Sequence, residues 1–252
     1  MRIIKVLLIC SMLLVSSCHT NQRVDIYDGF ESKRLSTIWS DWRFLPGAVE
    51  IQSEVVKHGK SACKITLRPG DQMDDEKGTI LERAELAEFR KLVSHEDIYY
   101  SYSFSIFLPT DFPIVSSRLV IAQWKQYSKS ENFSVNNPVI ALRYKSGKLR
   151  ITCQIKEDKV DLYKQKVDIR NKWLDFKFHI RFSTKENGRI KAWMNEENIV
   201  DYTGRTAYSE KYGYTTPNYF YFKIGLYRDQ IPEPMTIYID EYRKQRLYDS
   251  TL

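Results

Sequence analysis

The feature that most constrains this chain is a period of two that runs through nearly all of it. "VEIQSEVV", "SACKITLRP", "TILERAELAEF", "IYYSYSFSIFLP", "SRLVIAQWKQY", "PVIALRYK", "KLRITCQIK", "WLDFKFHIRF", "RIKAWMN", "YFYFKIGLYR" and "MTIYIDEYR" each alternate in character from residue to residue. Alternation of this kind suits strands with one face buried, and helical periodicity is weak throughout. Turn signals separate the segments: Lys57-His58-Gly59-Lys60, Arg68-Pro69-Gly70-Asp71, Lys145-Ser146-Gly147-Lys148 and Lys185-Glu186-Asn187-Gly188. The third predicts a tight hairpin joining "IALRY" to "LRITC". About a dozen strands without helices predict an all-β fold, a β-jelly-roll sandwich of two antiparallel sheets. Large sheets twist, so one face is expected to curl into a concave trough lined by Tyr, Arg, Lys and Gln.

Residues 1–17 read as a signal peptide, with Arg2 and Lys5 as a short basic start and an apolar run over Ile3 to Val15. That run is too short to span a membrane. Val15-Ser16-Ser17-Cys18 has the small-residue pattern of a bacterial lipobox, which predicts lipidation at Cys18. The alternative is an ordinary signal with a chance cysteine. Residues 18–23 are then a tether, and 24–252 one domain with room for a sizeable core. The expected location is the bacterial outer membrane, facing the cell surface or the periplasm, with the lipid as the only membrane contact. Cys63 and Cys153 alternate with apolar residues, so two buried thiols or one disulfide are expected; neither has metal-ligand spacing.

The chain carries 39 Lys+Arg against 32 Asp+Glu, a formal charge of +7. The excess is mild and scattered along strands, which argues against nucleic acid and for a polyanionic glycan. Three strands concentrate the chemistry. In "TILERAELAEF", Arg83 and Glu85 share one face and Glu82, Ala84 and Leu86 the other. The first pair is either a cross-strand salt-bridge ladder or an arginine held to take a carboxylate with its fork. In "LVIAQWKQY", Gln123 and Lys125 share a face with Ile121, as a solvated polar face or as an amide and an amine beside a bound acid.

In "YFKIGLYRD", Tyr221, Lys223, Gly225 and Tyr227 share the face opposite Phe222, Ile224 and Leu226. Lys223 can bind acid groups, Tyr227 can give or take a proton, and Gly225 between them leaves room for a sugar ring. Arg143, on the strand "IALRY", joins Arg83, Gln123, Tyr221 and Lys223 as a substrate-binding candidate. A glycoside hydrolase needs two carboxylates on one strand face, and Glu82 and Glu85 point to opposite faces.

"ERAEL", "QWK", "KIGLYR" and "IYIDEYR", taken in order over about Val24 to Arg243, resemble the pattern of heparin lyase I-type polysaccharide lyases and their glucuronan lyase relatives. The resemblance implies a β-jelly-roll and cleavage of uronic-acid polysaccharides by β-elimination. It places Lys223 and Tyr227 on the family's active-site lysine and catalytic tyrosine, Gln123 on the glutamine of its Gln-Trp-His motif, and Arg83 on its strand arginine. Lys125 stands where that motif has histidine, so it either replaces the histidine as base, or only binds charge while Tyr227 is both base and acid, or marks a glycan-binding protein without activity. His58, His95 and His179 are alternative imidazoles without a motif. No cofactor is required, and the resemblance allows calcium as a structural ion, with Asp28, Asp240 or Glu241 as oxygen donors. The expected partner is an anionic polysaccharide, bound by a monomer.

Overall fold

The computed structural model describes residues 25–71, 81–127, 137–155 and 160–248. The signal peptide, the tether and Cys18 lie outside them. Two eight-stranded sheets carry the chain. The first runs, in spatial order, Glu197–Thr203, Arg189–Met194, Trp173–Arg181, Tyr99–Phe107, Met235–Arg246, Ala62–Leu67 and Val49–Gln52, with Asp25–Asp28 also on Met235–Arg246. The second runs Val160–Lys166, Lys148–Cys153, Ile140–Lys145, Leu119–Tyr127, Tyr219–Asp229, Leu81–Glu88 and Trp39–Ser40, with Ser94–His95 also on Tyr219–Asp229. Neighbouring strands are antiparallel, as a jelly-roll of hairpins and crossovers requires. Among the described residues there is no α-helix, only two short 3-10 turns at Arg90–Leu92 and Glu210–Tyr212.

The sheets meet through aromatic side chains that the alternation sends inward. Trp124 and Phe222 from the second sheet pack on Phe178, Phe104 and Tyr242 from the first. Ring centroids lie 4.7 Å apart for Trp124 and Phe178, 4.9 Å for Trp124 and Phe222, and 5.5 Å for Phe222 and Tyr242. Offset and tilted pairs of this kind add about 0.5–1.5 kcal/mol each beyond their buried area. The expected hairpin at Lys145–Lys148 is present, with Ser146 and Gly147 both at positive φ, 51° and 69°. That is the type I′ geometry that matches strand twist. Cys63 and Cys153 lie in different sheets as buried free thiols, not as a disulfide. Burial pushes both upward, Cys153 to about 12.

Two bulges shape the face that bears the candidate residues. Tyr219–Asp229 pairs in unbroken register with Leu81–Glu88, setting Lys223 opposite Ala87, Gly225 opposite Glu85 and Tyr227 opposite Arg83. On its other side Ile224 faces Ala122 but Tyr227 faces Val120, so one extra residue is taken up between them. Gly225 occupies that bulge at φ 140°, and a Cβ there would stand 2.3 Å from the Ala84 carbonyl oxygen. Room for a sugar ring is therefore not what demands glycine; close approach of two backbones is. The second bulge falls between Val120 and Ala122. It places Ile121 in the apolar core and Val120 on the polar face, the reverse of strict alternation.

Candidate active site

A cavity of about 310 Å³ opens on the outer face of the second sheet, where four adjacent strands deliver their polar side chains. Arg83 comes from Leu81–Glu88, Lys223 and Tyr227 from Tyr219–Asp229, Gln123 and Lys125 from Leu119–Tyr127, and Arg143 from Ile140–Lys145. Arg118, Val120, Asn137, Pro138 and Gln154 complete the lining. Six of the seven residues singled out on these strands thus share one cavity. Tyr221 does not: it pairs across the strands with Lys125 but lines a second, aromatic cavity beside the first.

Glu85, 2% exposed, ties the floor together. Its Oε2 accepts from the Lys223 ammonium at 2.9 Å, its Oε1 from the Gln123 amide at 2.5 Å, and Arg83 Nε lies 3.9 Å away. Burial by itself pushes this carboxyl upward, but the charges of Lys223 and Arg83 and the two hydrogen bonds overcome it, and the group stays ionised. The ladder reading and the binding reading of Arg83 and Glu85 are therefore one arrangement. Arg83 Nε is buried and makes no hydrogen bond among the described residues, while the residue itself lines the cavity, where a guanidinium can meet an anion.

The lysines respond to the same surroundings. Burial lowers Lys125 to about 7, helped by the neighbouring charges of Lys223 and Arg43. Lys223 falls to about 8, again first by burial, with Glu85 opposing the fall. Arg143 is lowered to about 10 by burial and by Arg118 and Arg150, and remains charged. At neutral pH the cavity therefore holds fixed guanidinium charge beside an amine that burial makes far easier to deprotonate than a free lysine.

Tyr227 stands among cations. The guanidinium of Arg83 lies 4.6 Å from its ring centre, and the ammonium of Lys223 6.0 Å from it. Arg118 Nη1 donates to the phenol oxygen at 3.3 Å. Asp229 holds that arginine twice: Oδ1 lies 3.2 Å from Arg118 Nε, and Oδ2 accepts from the Arg118 backbone N–H at 2.9 Å. Sequence reasoning missed Arg118, because strict alternation along "SRLVIAQWKQY" puts it on the face opposite Gln123 and Lys125, and the bulge between Val120 and Ala122 reverses that order. It also missed Arg43, a loop residue in "DWRFLP" whose charge acts on Lys125, Lys223 and Tyr221.

Other candidates fall away from this site. His58 lies near Glu241, and its backbone N–H donates to Asp240, at a cavity on the first sheet. His179 packs on Trp193 with burial pushing it down to about 4, and His95 packs on Tyr219. None of the three lines the cavity. Glu82 turns inward to Arg228 at 2.7 Å, and no carboxylate lines the cavity among the described residues, so the paired acids of a hydrolase are missing there. The carboxylates suggested as calcium ligands are already engaged among the described residues, Glu241 by the Tyr27 hydroxyl at 2.7 Å. Asp28 accepts from the Phe30 N–H and the Trp39 indole, and Asp240 from the Lys57, His58 and Glu241 N–H groups. Among the described residues no cluster of three or more His, Cys, Asp or Glu could hold a metal ion.

Comparison with known proteins bears on the family and the fold. The family model described as polysaccharide lyase matches residues 24–243. No curated sequence matches. Among solved structures, an endo-β-1,4-glucuronan lyase from the fungus Trichoderma reesei superposes with a TM-score of 0.64 at 16% identity, covering 88% of this chain and 95% of that one. A cellulose-induced protein gives 0.57 at 15% identity, covering 87% and 96%. An alginate lyase gives 0.56 at 10% identity, covering 89% and 98%. At these identities the likeness to solved structures is one of fold.

Proposed function

This chain belongs to the polysaccharide lyase family, and on that premise we propose that its cationic cavity cleaves a uronic-acid polysaccharide by β-elimination. The observation that most supports this is the meeting, in one cavity, of the Arg83 side chain, a lysine lowered to about 7 and a phenol hydrogen-bonded by a guanidinium.

The steps follow from those groups. Arg83 and Gln123 take the uronate carboxylate and draw charge from it, which acidifies the C5–H bond. Lys125, in its neutral form, removes the C5 proton. The electron pair left on C5 forms the C4–C5 double bond as the C4–O4 bond breaks, and the Tyr227 hydroxyl protonates O4 as it leaves. The tyrosine then regains a proton from water or from the Lys125 ammonium. Lys223 and Arg143 hold neighbouring acid groups of the polymer. Each proton transfer of this kind is worth roughly 10²–10⁴ in rate.

The test is a panel of glucuronan, alginate, heparin and heparan sulfate, with product ends read by mass spectrometry. Fragments carrying a 4,5-unsaturated uronate, one water lighter than hydrolysis products, are expected from at least one polymer. Binding without fragments across the panel makes the chain a glycan-binding protein instead. Lipidation at Cys18 and anchoring to the outer membrane are part of the same reading. Intact-mass measurement on the exported protein is expected to give a diacylglyceryl cysteine as first residue; an unmodified terminus beyond Cys18 rules it out.

A further inference from the structure

The second cavity, about 310 Å³, adjoins the first along the same strand pair: Tyr221 is the cross-strand neighbour of Lys125, and Tyr219 of Tyr127. Its walls are chemically opposite. Trp42, Tyr127, Tyr219 and Tyr221 line it with Val93, and Arg90 is the cation on its exposed rim. Its carboxylate, Glu88, is already engaged by the Tyr242 hydroxyl at 2.5 Å and the Lys244 ammonium at 3.1 Å. The rings are held in place. The Arg43 guanidinium lies 3.5 Å over the Trp42 ring, and the Trp42 indole N–H donates to Ser40 at 2.8 Å. Tyr219 is braced by Tyr127 at 6.0 Å and by His95 at 5.3 Å.

Trp42 is 45% exposed and Tyr127 41%, large aromatic surface beside a site for carbohydrate. Aromatic faces pack on the C–H face of a pyranose, and tyrosine hydroxyls meet its hydroxyls. Its own cations stand at the edge, Arg90 on the rim and Arg43 over the Trp42 ring, so a carboxylate between the aromatic walls would lose water with less charge to receive it than among the guanidinium and ammonium groups next door. We propose that the aromatic cavity is a subsite for an uncharged sugar of the same polymer, so that the substrate interleaves uronates with neutral residues. The inference rests on the lyase reading of the cationic cavity. Lys223 and Tyr219 are four residues apart on one strand, about 13 Å, within reach of one short oligosaccharide.

The test is calorimetric binding to the full chain carrying Tyr227→Phe, with two oligosaccharides of equal length: one of glucuronate alone, one of glucuronate alternating with glucose. The mixed oligosaccharide is expected to bind more tightly. Trp42→Ala is expected to lower the ratio of the two affinities roughly tenfold, Tyr127→Ala to lower it in the same direction, and Trp42→Phe to restore most of it. Unchanged circular dichroism checks that each variant is folded. Tighter binding of the all-glucuronate chain, or an equal effect of Trp42→Ala on both, overturns the subsite and leaves the lyase reading standing. If neither binds, the uronate reading of the cationic cavity fails and the subsite falls with it.

Discussion

The Glu85 carboxylate and the Lys223 ammonium form a buried ion pair 2.9 Å long, with both side chains no more than 3% exposed. Removing one partner of such a pair leaves the other charged and unsatisfied in a dry place. Glu85→Gln is therefore expected to lower unfolding free energy by about 3–5 kcal/mol at neutral pH, measured by urea denaturation. The loss should shrink toward pH 9, because Lys223 without its carboxylate gives up its proton more readily. A variant as stable as the parent would show that the pair does not organise the floor.

Lys125 carries a pH prediction for activity. An amine lowered to about 7 becomes a competent base as pH rises through that value, so the acid limb of kcat should fall near pH 7. Lys125→His should keep turnover with a limb nearer the imidazole value of about 6.5. Lys125→Arg, charged at every working pH, should bind polymer and not cut it. Full activity in Lys125→Arg would reduce this residue to a charge contact.

The same lysine affects stability. Its folded value, about 7, lies below the unfolded value of about 10.4, so between them the unfolded chain binds more protons and stability rises with pH. Below pH 7 both states are protonated and the cost of burying the charge is carried in full. The difference in unfolding free energy between Lys125→Met and the parent should therefore narrow steadily from pH 7 to pH 9. A constant difference would mean that burial does not shift this amine.

Arg118 is a positioning residue for Tyr227, fixed in turn by Asp229. Arg118→Ala should lower kcat roughly 10- to 100-fold with little change in KM, and Arg118→Lys should recover part of it. Equal losses in the two variants, or a loss in KM alone, would assign Arg118 to substrate binding.

Alternation made the sandwich, the hairpin at Ser146-Gly147 and the shared face of Lys223 and Tyr227 legible, because each depends on side chains one or two residues apart. Edge strands with little burial escaped it. Val160–Lys166 and Glu197–Thr203 are edge strands whose outer residues are mostly polar, so no apolar period marks them. The bulges escaped as well, and with them the inward turn of Ile121 and the reach of Arg118. Glu85 was legible as a partner for Arg83, but its bonds to Lys223 and Gln123 cross three strands and need the register. Arg43 enters from a loop, where periodicity says nothing.

Gly225 tests the bulge. An added Cβ meets the Ala84 carbonyl oxygen at 2.3 Å and the Glu85 Cα at 2.9 Å, both backbone atoms that cannot swing aside. Gly225→Ala should destabilise by more than about 2 kcal/mol and reduce activity by displacing Tyr227. Thermal melts reading a change below that would show that the strand pair accommodates the methyl group.

The most direct test of β-elimination is the ultraviolet absorbance of unsaturated uronate during incubation with a cleavable polyuronate, followed for the parent and for Tyr227→Phe. The parent should give a steady rise, and Tyr227→Phe should give none while still binding the polymer in calorimetry. An undiminished rise in Tyr227→Phe would remove this phenol from the chemistry and contradict the mechanism drawn from its surroundings.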